Sequence, residues 1–287
     1  MTASNTPTDA AEQPDRPLVT STIEHGVCTI TLQDERRRNA LSARLVNELN
    51  AAFDAAEADP AVRIIVVTNS GRVFCAGADL SERSQGDDGL EQADRGEMNQ
   101  AVAGPAASDP LTLFTRIPRS PKPFVGRLAG HCVAGGMGLA AAMDISVAID
   151  DIKMGFTEVR IGVAPAIISV LCLPKMSRSD AQDAFLRGRR FSGAEAARIG
   201  LINQAVPVDR LDETVAEIVE DLLAAGPQAL AASKQLIARV PTMPVDDAFT
   251  WTGRLSGELF RSEEARAGMR AYLEKRAAPW IPVREQE

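Results

Sequence analysis

An α/β fold follows from three features of the chain. Short β-branched runs alternate with amphipathic helical patterns up to about residue 207. The turns between them are rich in glycine and other small residues. From Asp209 the pattern is almost wholly helical. Alternating strand and helix periodicities point to sheets covered by helices. A length of 287 residues with 45% hydrophobic content is enough for one large core with an appendage.

Residues 1–16 are polar and acidic without periodicity, and are expected to form a disordered tail. "LVTSTIEHGVCTITLQ" reads as two strands joined by a turn at Glu24-His25-Gly26. In "ALSARLVNELNAAFDAAEADP", Leu41, Leu45, Leu49, Ala52, Phe53 and Ala56 recur at helical spacing. Ser42 is placed to cap this helix, and Asp59-Pro60 to end it. "VRIIVVTNSG" is a buried strand, and "RVFCAGADL" a small-residue turn after it. Residues 81–110 read as a polar loop feeding a helix that ends near Pro118.

"FVGRLAG" and "DISVAID" are strands flanking the glycine run "HCVAGGMGLAAAMD". "IGVAPAIISVLCLPKMS" begins as a loop and becomes an apolar helix. "SDAQDAFLRGRRFSGAEAARIGLINQAVP" gives two helices, the second opened by a Ser192/Glu195 capping box, and then a short strand. "LDETVAEIVEDLLAAG", "PQALAASKQLIARV" and "EEARAGMRAYLEKR" are helical. The expected organisation is a tail over 1–16, a core domain over 17–207 and a helical region over 208–287.

Composition excludes several functions. The net charge of −8 argues against a nucleic-acid or anionic-membrane surface. The N-terminus lacks the apolar segment of a signal peptide, and no run reaches the ~18 apolar residues of a membrane helix. The four cysteines are far apart, the two histidines do not form a ligand set, and no metal is expected. A soluble, cytoplasmic protein is the expectation.

Chemistry concentrates in two turns. "FCAGADL" leaves a strand through Ala76-Gly77-Ala78. "GHCVAGGMGLA" leaves another through Gly135-Gly136 and opens a helix. Small residues let backbone approach a ligand, and a helix N-terminus offers free N–H groups. Two such groups aimed at one point make an oxyanion hole, while the alternative is that these glycines only permit tight packing. Dinucleotide, Walker A and Gly-x-Ser-x-Gly patterns are absent.

"RRRNALS", "VRIIVVTNSGRVFCAGADL", "KPFVGRLAGHCVAGGMGLAAAMDISVA", "GFTEVRIGVAP" and "GRRFSGAEAARIGLINQAVP" occur in that order. Over roughly residues 18–285 the chain thereby resembles the enoyl-CoA hydratase/isomerase (crotonase) superfamily. Its "TEVRIGVAPAIIS" with "GGMGL" is similar to single-glutamate methylglutaconyl-CoA-hydratase-like members. The resemblance implies a spiral of ββα units followed by a helical trimerisation region, hence a homotrimer or dimer of trimers.

It implies an acyl-CoA substrate with no separate cofactor, and a thioester oxygen held by the amides of Ala78 and Gly135. It places CoA near Arg38, Ala40, Ala76 and Asp79, with Lys275 a further candidate. Arg36 and Arg37 could meet phosphates or form a solvated basic loop.

The resemblance also implies two catalytic glutamates, of which one is present. Glu158, in "TEVRIG", matches as general acid–base. The other position falls on Gly138, which has no side chain and is expected to leave Glu158 alone or to leave room for a substrate group. Asp79, Glu82, Asp87 and Asp88 could replace the missing acid or form a solvated acidic loop. His131 and Asp144 read as structural. Arg160 could turn toward Glu158 or face solvent. Three functions remain: a hydratase using Glu158 alone, a Δ3-Δ2 enoyl-CoA isomerase, and an acyl-CoA-binding member with little catalysis.

Overall fold

The computed structural model describes residues 16–85 and 108–281. The expected tail therefore falls, except for Arg16, outside the described residues, as do Asp87 and Asp88. Strands β1 (Val19–Glu24) and β2 (Val27–Leu32) form an antiparallel hairpin. His25 and Gly26 turn it, both at positive φ, the geometry that suits a two-residue hairpin.

Helix α1 (Ala43–Ala58) buries Leu45, Val46, Leu49, Phe53 and Ala56 on one face. Ser42 Oγ accepts from Leu45 N at 3.2 Å and satisfies one of the helix's free donors. Ser42→Ala is expected to cost about 1 kcal/mol. A lower urea midpoint at unchanged slope would report it.

The chain continues through β3 (Ile64–Asn69), β4 (Val73–Cys75), α2 (Leu80–Gln85), α3 (Leu111–Arg116), β5 (Phe124–Leu128), β6 (His131–Val133) and α4 (Gly135–Ala142). Next come β7 (Ile145–Ile149), β8 (Lys153–Gly155), α5 (Ala166–Cys172), α6 (Arg178–Arg187), β9 (Phe191–Ser192), α7 (Gly193–Arg198) and β10 (Gln204–Val206). Helices α8 (Leu211–Ala224), α9 (Pro227–Arg239), α10 (Val245–Arg261) and α11 (Glu263–Leu273) complete it.

Two sheets result, ordered β1-β2-β3-β5-β7-β10 and β4-β6-β8-β9. In each of the pairs β3–β4, β5–β6 and β7–β8, the first strand joins the large sheet and the second joins the small one. The chain thus winds as a spiral of ββα units. Strands β2, β3, β5 and β7 pair in parallel, and β3 is buried along its whole length, as a strand covered on both faces should be. Phe53 of α1 meets Phe124 of β5 edge to face, with centroids 5.0 Å apart.

Some expectations change. Val73–Cys75 and His131–Val133 are strands of the small sheet, not parts of turns. Three residues are too few for a period of two to show. Leu80–Gln85 is helical where a loop is expected, because Asp79 Oδ1 accepts from Ser81 N at 2.9 Å and caps it. Helix α10 fills a stretch not singled out in the sequence. Only half of the capping box forms: Ser192 Oγ accepts from Glu195 N, while the Glu195 carboxylate pairs with Arg189.

The C-terminal region is tied to the core at three points. Helix α8 packs on β3, β5 and β7. Arg63 donates to the carbonyls of Leu223, Ala225 and Trp280. Lys234 of α9 reaches Asp144 Oδ2 at 2.6 Å. No residue of α10 is buried. No helix of the described residues is long and apolar enough to cross a membrane.

Candidate active site

Three backbone segments converge where the sheets end. The Asp34–Ala40 loop is bent by left-handed Arg38 and Asn39. It is stapled to the Ala76–Ala78 turn: Ala76 N donates to Arg38 O at 3.1 Å, and Leu41 N to Gly77 O at 2.7 Å. Asn39 is fully buried and donates from Nδ2 to Val73 O. The third segment is the start of α4, where Ala134 N donates to Gly155 O at 2.9 Å.

The glycines make this convergence possible. Gly77 has φ +89°, and a Cβ there would lie 2.7 Å from Ala134 Cβ and 2.8 Å from Gly135 N. A Cβ at Gly136 would lie 2.5 Å from Cys75 O. At Gly135 a Cβ would sit 3.5 Å from Ala78 N, so the backbone of Gly135 lies close against that of Ala78. Neither amide is a donor in the turn and loop hydrogen bonds of the described residues. Gly135 opens α4, where the first amides have no partner within the helix. Adjacent free amides of this kind can hold an oxygen on which negative charge develops.

A cavity of about 1300 Å³ opens from these amides. Its wall is mainly apolar and includes Leu41, Ala76, Phe114, Val163 and Ile168. Among the described residues its lining holds one carboxylate, Glu158, together with Arg160, Arg189 and Arg190. Glu158 begins a 3-10 turn (Glu158–Ile161) closed by left-handed Gly162. Its Oε2 is buried with no hydrogen-bond partner. Burial pushes the carboxyl above the ordinary glutamate value. A carboxylate so placed is primed to give or take a proton.

The guanidiniums are differently engaged. Arg160 donates from Nε to Gly188 O at 2.6 Å and from Nη2 to Arg187 O, which closes the end of α6. It is exposed to solvent, as the second alternative has it, with its guanidinium held on those carbonyls. Arg189 is matched by Glu195 and Asp183. Arg190 is exposed at the rim.

A second cavity of about 430 Å³ adjoins the first and is lined by Arg36, Arg37, Arg38, Ala40 and Asp79. Ala78 and Leu80 line both. Arg38, Ala40 and Asp79 are thus brought together, with Ala76 in the larger cavity. Lys275 lines neither. It sits left-handed at the end of α11, where Arg276 N closes on Ala271 O and turns the chain away. Arg37 is bound to Asp79 at 3.2 Å and lies 3.6 Å from Glu82, while Arg36 and Arg38 are exposed.

The two described acids among those proposed to replace the missing one, Asp79 and Glu82, have other tasks. Asp79 also accepts from Ser81 Oγ, and these contacts hold its carboxyl below the ordinary aspartate value. Glu82 accepts from Ala43 N at 2.8 Å. Asp79 is buried, whereas Glu82 is exposed to solvent but held by these contacts. His131 Nδ1 accepts from Lys153 N at 3.0 Å, and Asp144 accepts from Phe124 N and pairs with Lys234. Both have structural roles.

Gly138 corrects an expectation. It leaves no room: a Cβ there would lie 2.2 Å from Ile168 Cγ2 and 3.3 Å from Phe114 Cζ. Ile168 and Phe114 are wall residues that no local sequence signal singles out, because they come from α5 and α3 and meet only in the fold.

Comparison with known proteins adds to this geometry. A family model described as enoyl-CoA hydratase/isomerase matches residues 22–282. Enoyl-CoA hydratase EchA19 of Mycobacterium tuberculosis is 30% identical over 86% of this chain and 90% of its own length. Carnitinyl-CoA dehydratase of Salmonella typhi is 31% identical over 88% and 94%. The crystal structure of an enoyl-CoA hydratase from Mycobacterium smegmatis superposes with a TM-score of 0.79 at 27% identity, covering 92% of this chain and 99% of that one.

Proposed function

Because the chain belongs to the enoyl-CoA hydratase/isomerase family, we propose that it is a hydratase-type lyase that adds water to a 2-enoyl-CoA. The observation that carries this reading is Glu158. It is the one carboxylate of the cavity lining among the described residues, with a buried, unpartnered oxygen, in the cavity that Ala78 and Gly135 also line.

In this reading the two amides form an oxyanion hole for the thioester oxygen. Ionised Glu158 takes a proton from water as the hydroxyl adds to the β-carbon. The C=C electron pair moves toward the thioester and forms an enolate. Glu158 then returns its proton to the α-carbon, giving a 3-hydroxyacyl-CoA. One group serves as base and then as acid, and no separate cofactor enters the balance. CoA lies along the adjoining cavity near Arg38, Ala40, Ala76 and Asp79.

We further read the exposed Val245, Phe249 and Phe260 of α10 and Tyr272 of α11 as subunit surface, in a homotrimer or dimer of trimers. Lys275 would then act toward a neighbouring subunit's CoA. The buried free thiols of Cys28, Cys75, Cys132 and Cys172 suit a reducing compartment such as the cytoplasm.

A single carboxylate beside the aliphatic Ile168 also suits an isomerase, which moves one proton between the α- and γ-carbons. Assaying crotonyl-CoA, 3-methylglutaconyl-CoA and a 3-enoyl-CoA in parallel tests the assignment. Hydration of either 2-enoyl thioester supports it. Turnover of the 3-enoyl substrate alone replaces it with the isomerase. Binding of all three without turnover overturns catalysis.

Gly77→Ala tests the paired amides. The new methyl group must displace Ala134 or Gly135. A fall of ~10²–10³ in kcat is expected, the usual effect of losing one oxyanion donor. Unchanged kcat would remove the amide pair from the mechanism.

A further inference from the structure

Helices α4 and α5 approach closely at the cavity, and their contact turns on a pair of positions. Ile168 fills the volume that any side chain at 138 would need, with its Cγ2 2.2 Å and its Cβ 2.8 Å from the Cβ that Gly138 lacks. Neither atom belongs to the far end of a flexible chain, so neither can swing aside at low cost. Phe114 closes the third side. Gly138 is buried, Ile168 is 4% exposed and Phe114 5%, and the latter two line the cavity.

Ile168 and Glu158 line the same cavity. Ile168 and Cys172, four residues apart and so on one face, are the buried residues of that helix. Burial pushes the Cys172 thiol up to about 12, and the Glu158 charge adds to that rise.

We infer that Ile168 is a specificity-determining residue. Seated in the space of the absent 138 side chain, it sets the size of the acyl end of the cavity and keeps α4 from presenting a second carboxylate beside Glu158. This rests on the acyl-CoA reading above. The chemistry it selects is a compact acyl group held against a dry aliphatic wall, with polar catalysis confined to Glu158 and the paired amides. Shrinking residue 168 should admit bulkier acyl groups. Enlarging residue 138 alone should strain the α4–α5 contact, and making both changes should restore fit.

Saturated thioesters have no double bond to hydrate, so their binding reports pocket size independently of turnover. The experiment measures butyryl-CoA and octanoyl-CoA affinities by calorimetry, and thermal unfolding, for the wild type, Ile168→Ala, Ile168→Val, Gly138→Ala and the Gly138→Ala/Ile168→Ala double variant. Ile168→Ala should move the octanoyl-to-butyryl affinity ratio toward octanoyl by ~10-fold or more, the scale of lost apolar contacts in a pocket. Ile168→Val should move it the same way by less, and serves if the alanine variant fails to fold. Gly138→Ala should melt below the wild type, and the double variant should recover both the melting temperature and the wild-type ratio.

A ratio unchanged within about twofold in both position-168 variants, against the shift expected of lost apolar contacts, overturns the inference. So does a Gly138→Ala protein as stable as the wild type. If neither thioester binds the wild type, the acyl-CoA reading fails and takes the specificity role with it. The melting-temperature cycle would still show whether 138 and 168 compete for one volume.

Discussion

Glu158→Gln is expected to lower kcat/KM by ~10²–10⁴, the range for loss of a general acid–base group. Glutamine keeps the size and some hydrogen-bonding capacity of the side chain but cannot carry the proton. The effect should fall mainly on kcat, with thioester affinity little changed. The wild type should also lose activity on acidification at a higher pH than an exposed glutamate would dictate, because burial raises the Glu158 pKa and the carboxylate is the form that accepts water's proton.

The stability sign follows from the same shift. A folded-state pKa above the unfolded value means that the fold disfavours the ionised form. The associated cost is fully present above the folded pKa and is relieved as pH falls through it toward the unfolded value. Glutamine has no charge to desolvate, so Glu158→Gln should melt at or above the wild-type temperature at neutral pH. Wild-type turnover by this variant with every enoyl-CoA would exclude Glu158 as the proton carrier.

The largest expected effect on stability is at Lys234. Its side chain is 9% exposed, and its ammonium bonds Asp144 Oδ2 at 2.6 Å, along with the carbonyls of Ile117 and Lys122. Lys234→Met keeps much of the apolar stem but leaves Asp144 without its cation. Breaking a buried pair from one side costs about 3–5 kcal/mol, and the lower end is expected because Asp144 keeps a quarter of its side chain in contact with solvent.

Asp144 already sits above the ordinary aspartate value through desolvation, and Lys234 is the main influence opposing that rise. In the variant its folded pKa should climb further. The stability deficit should therefore be greatest at neutral pH and shrink as acid protonates Asp144. Melts at pH 7 and at mildly acidic pH would show it. A deficit that does not shrink in acid would assign the loss to packing.

How much of this was legible in the sequence depends on how local each cause is. The helix from Ser42 to Asp59, the hairpin at His25-Gly26 and the buried run at Ile64–Asn69 are written in contiguous residues, and they form where the pattern puts them. The two small-residue turns and Glu158 are local signals too. The consequence of Gly138 is not, because Ile168 occupies its space from another helix. Asp79 and Glu82 look like a loose acidic loop in the sequence. Their partners are Arg37, Ser81 and the first amide of α1, and only the stapling of the Arg38 loop to Ala76 brings most of them together. The strands Val73–Cys75 and His131–Val133 were hidden by brevity.

The contact between Gly138 and Ile168 also constrains history. A lineage descended from this chain cannot gain an acid at 138 in one step, since any side chain there meets Ile168 at once. The residue at 168 must shrink first, through an intermediate whose wall has a gap and no new chemistry to compensate for it. The reverse route, from an ancestor with a larger residue at 138, must lose that residue before isoleucine can enter. In either direction the order of substitutions is fixed by volume, and the two arrangements are separated by a less well packed protein.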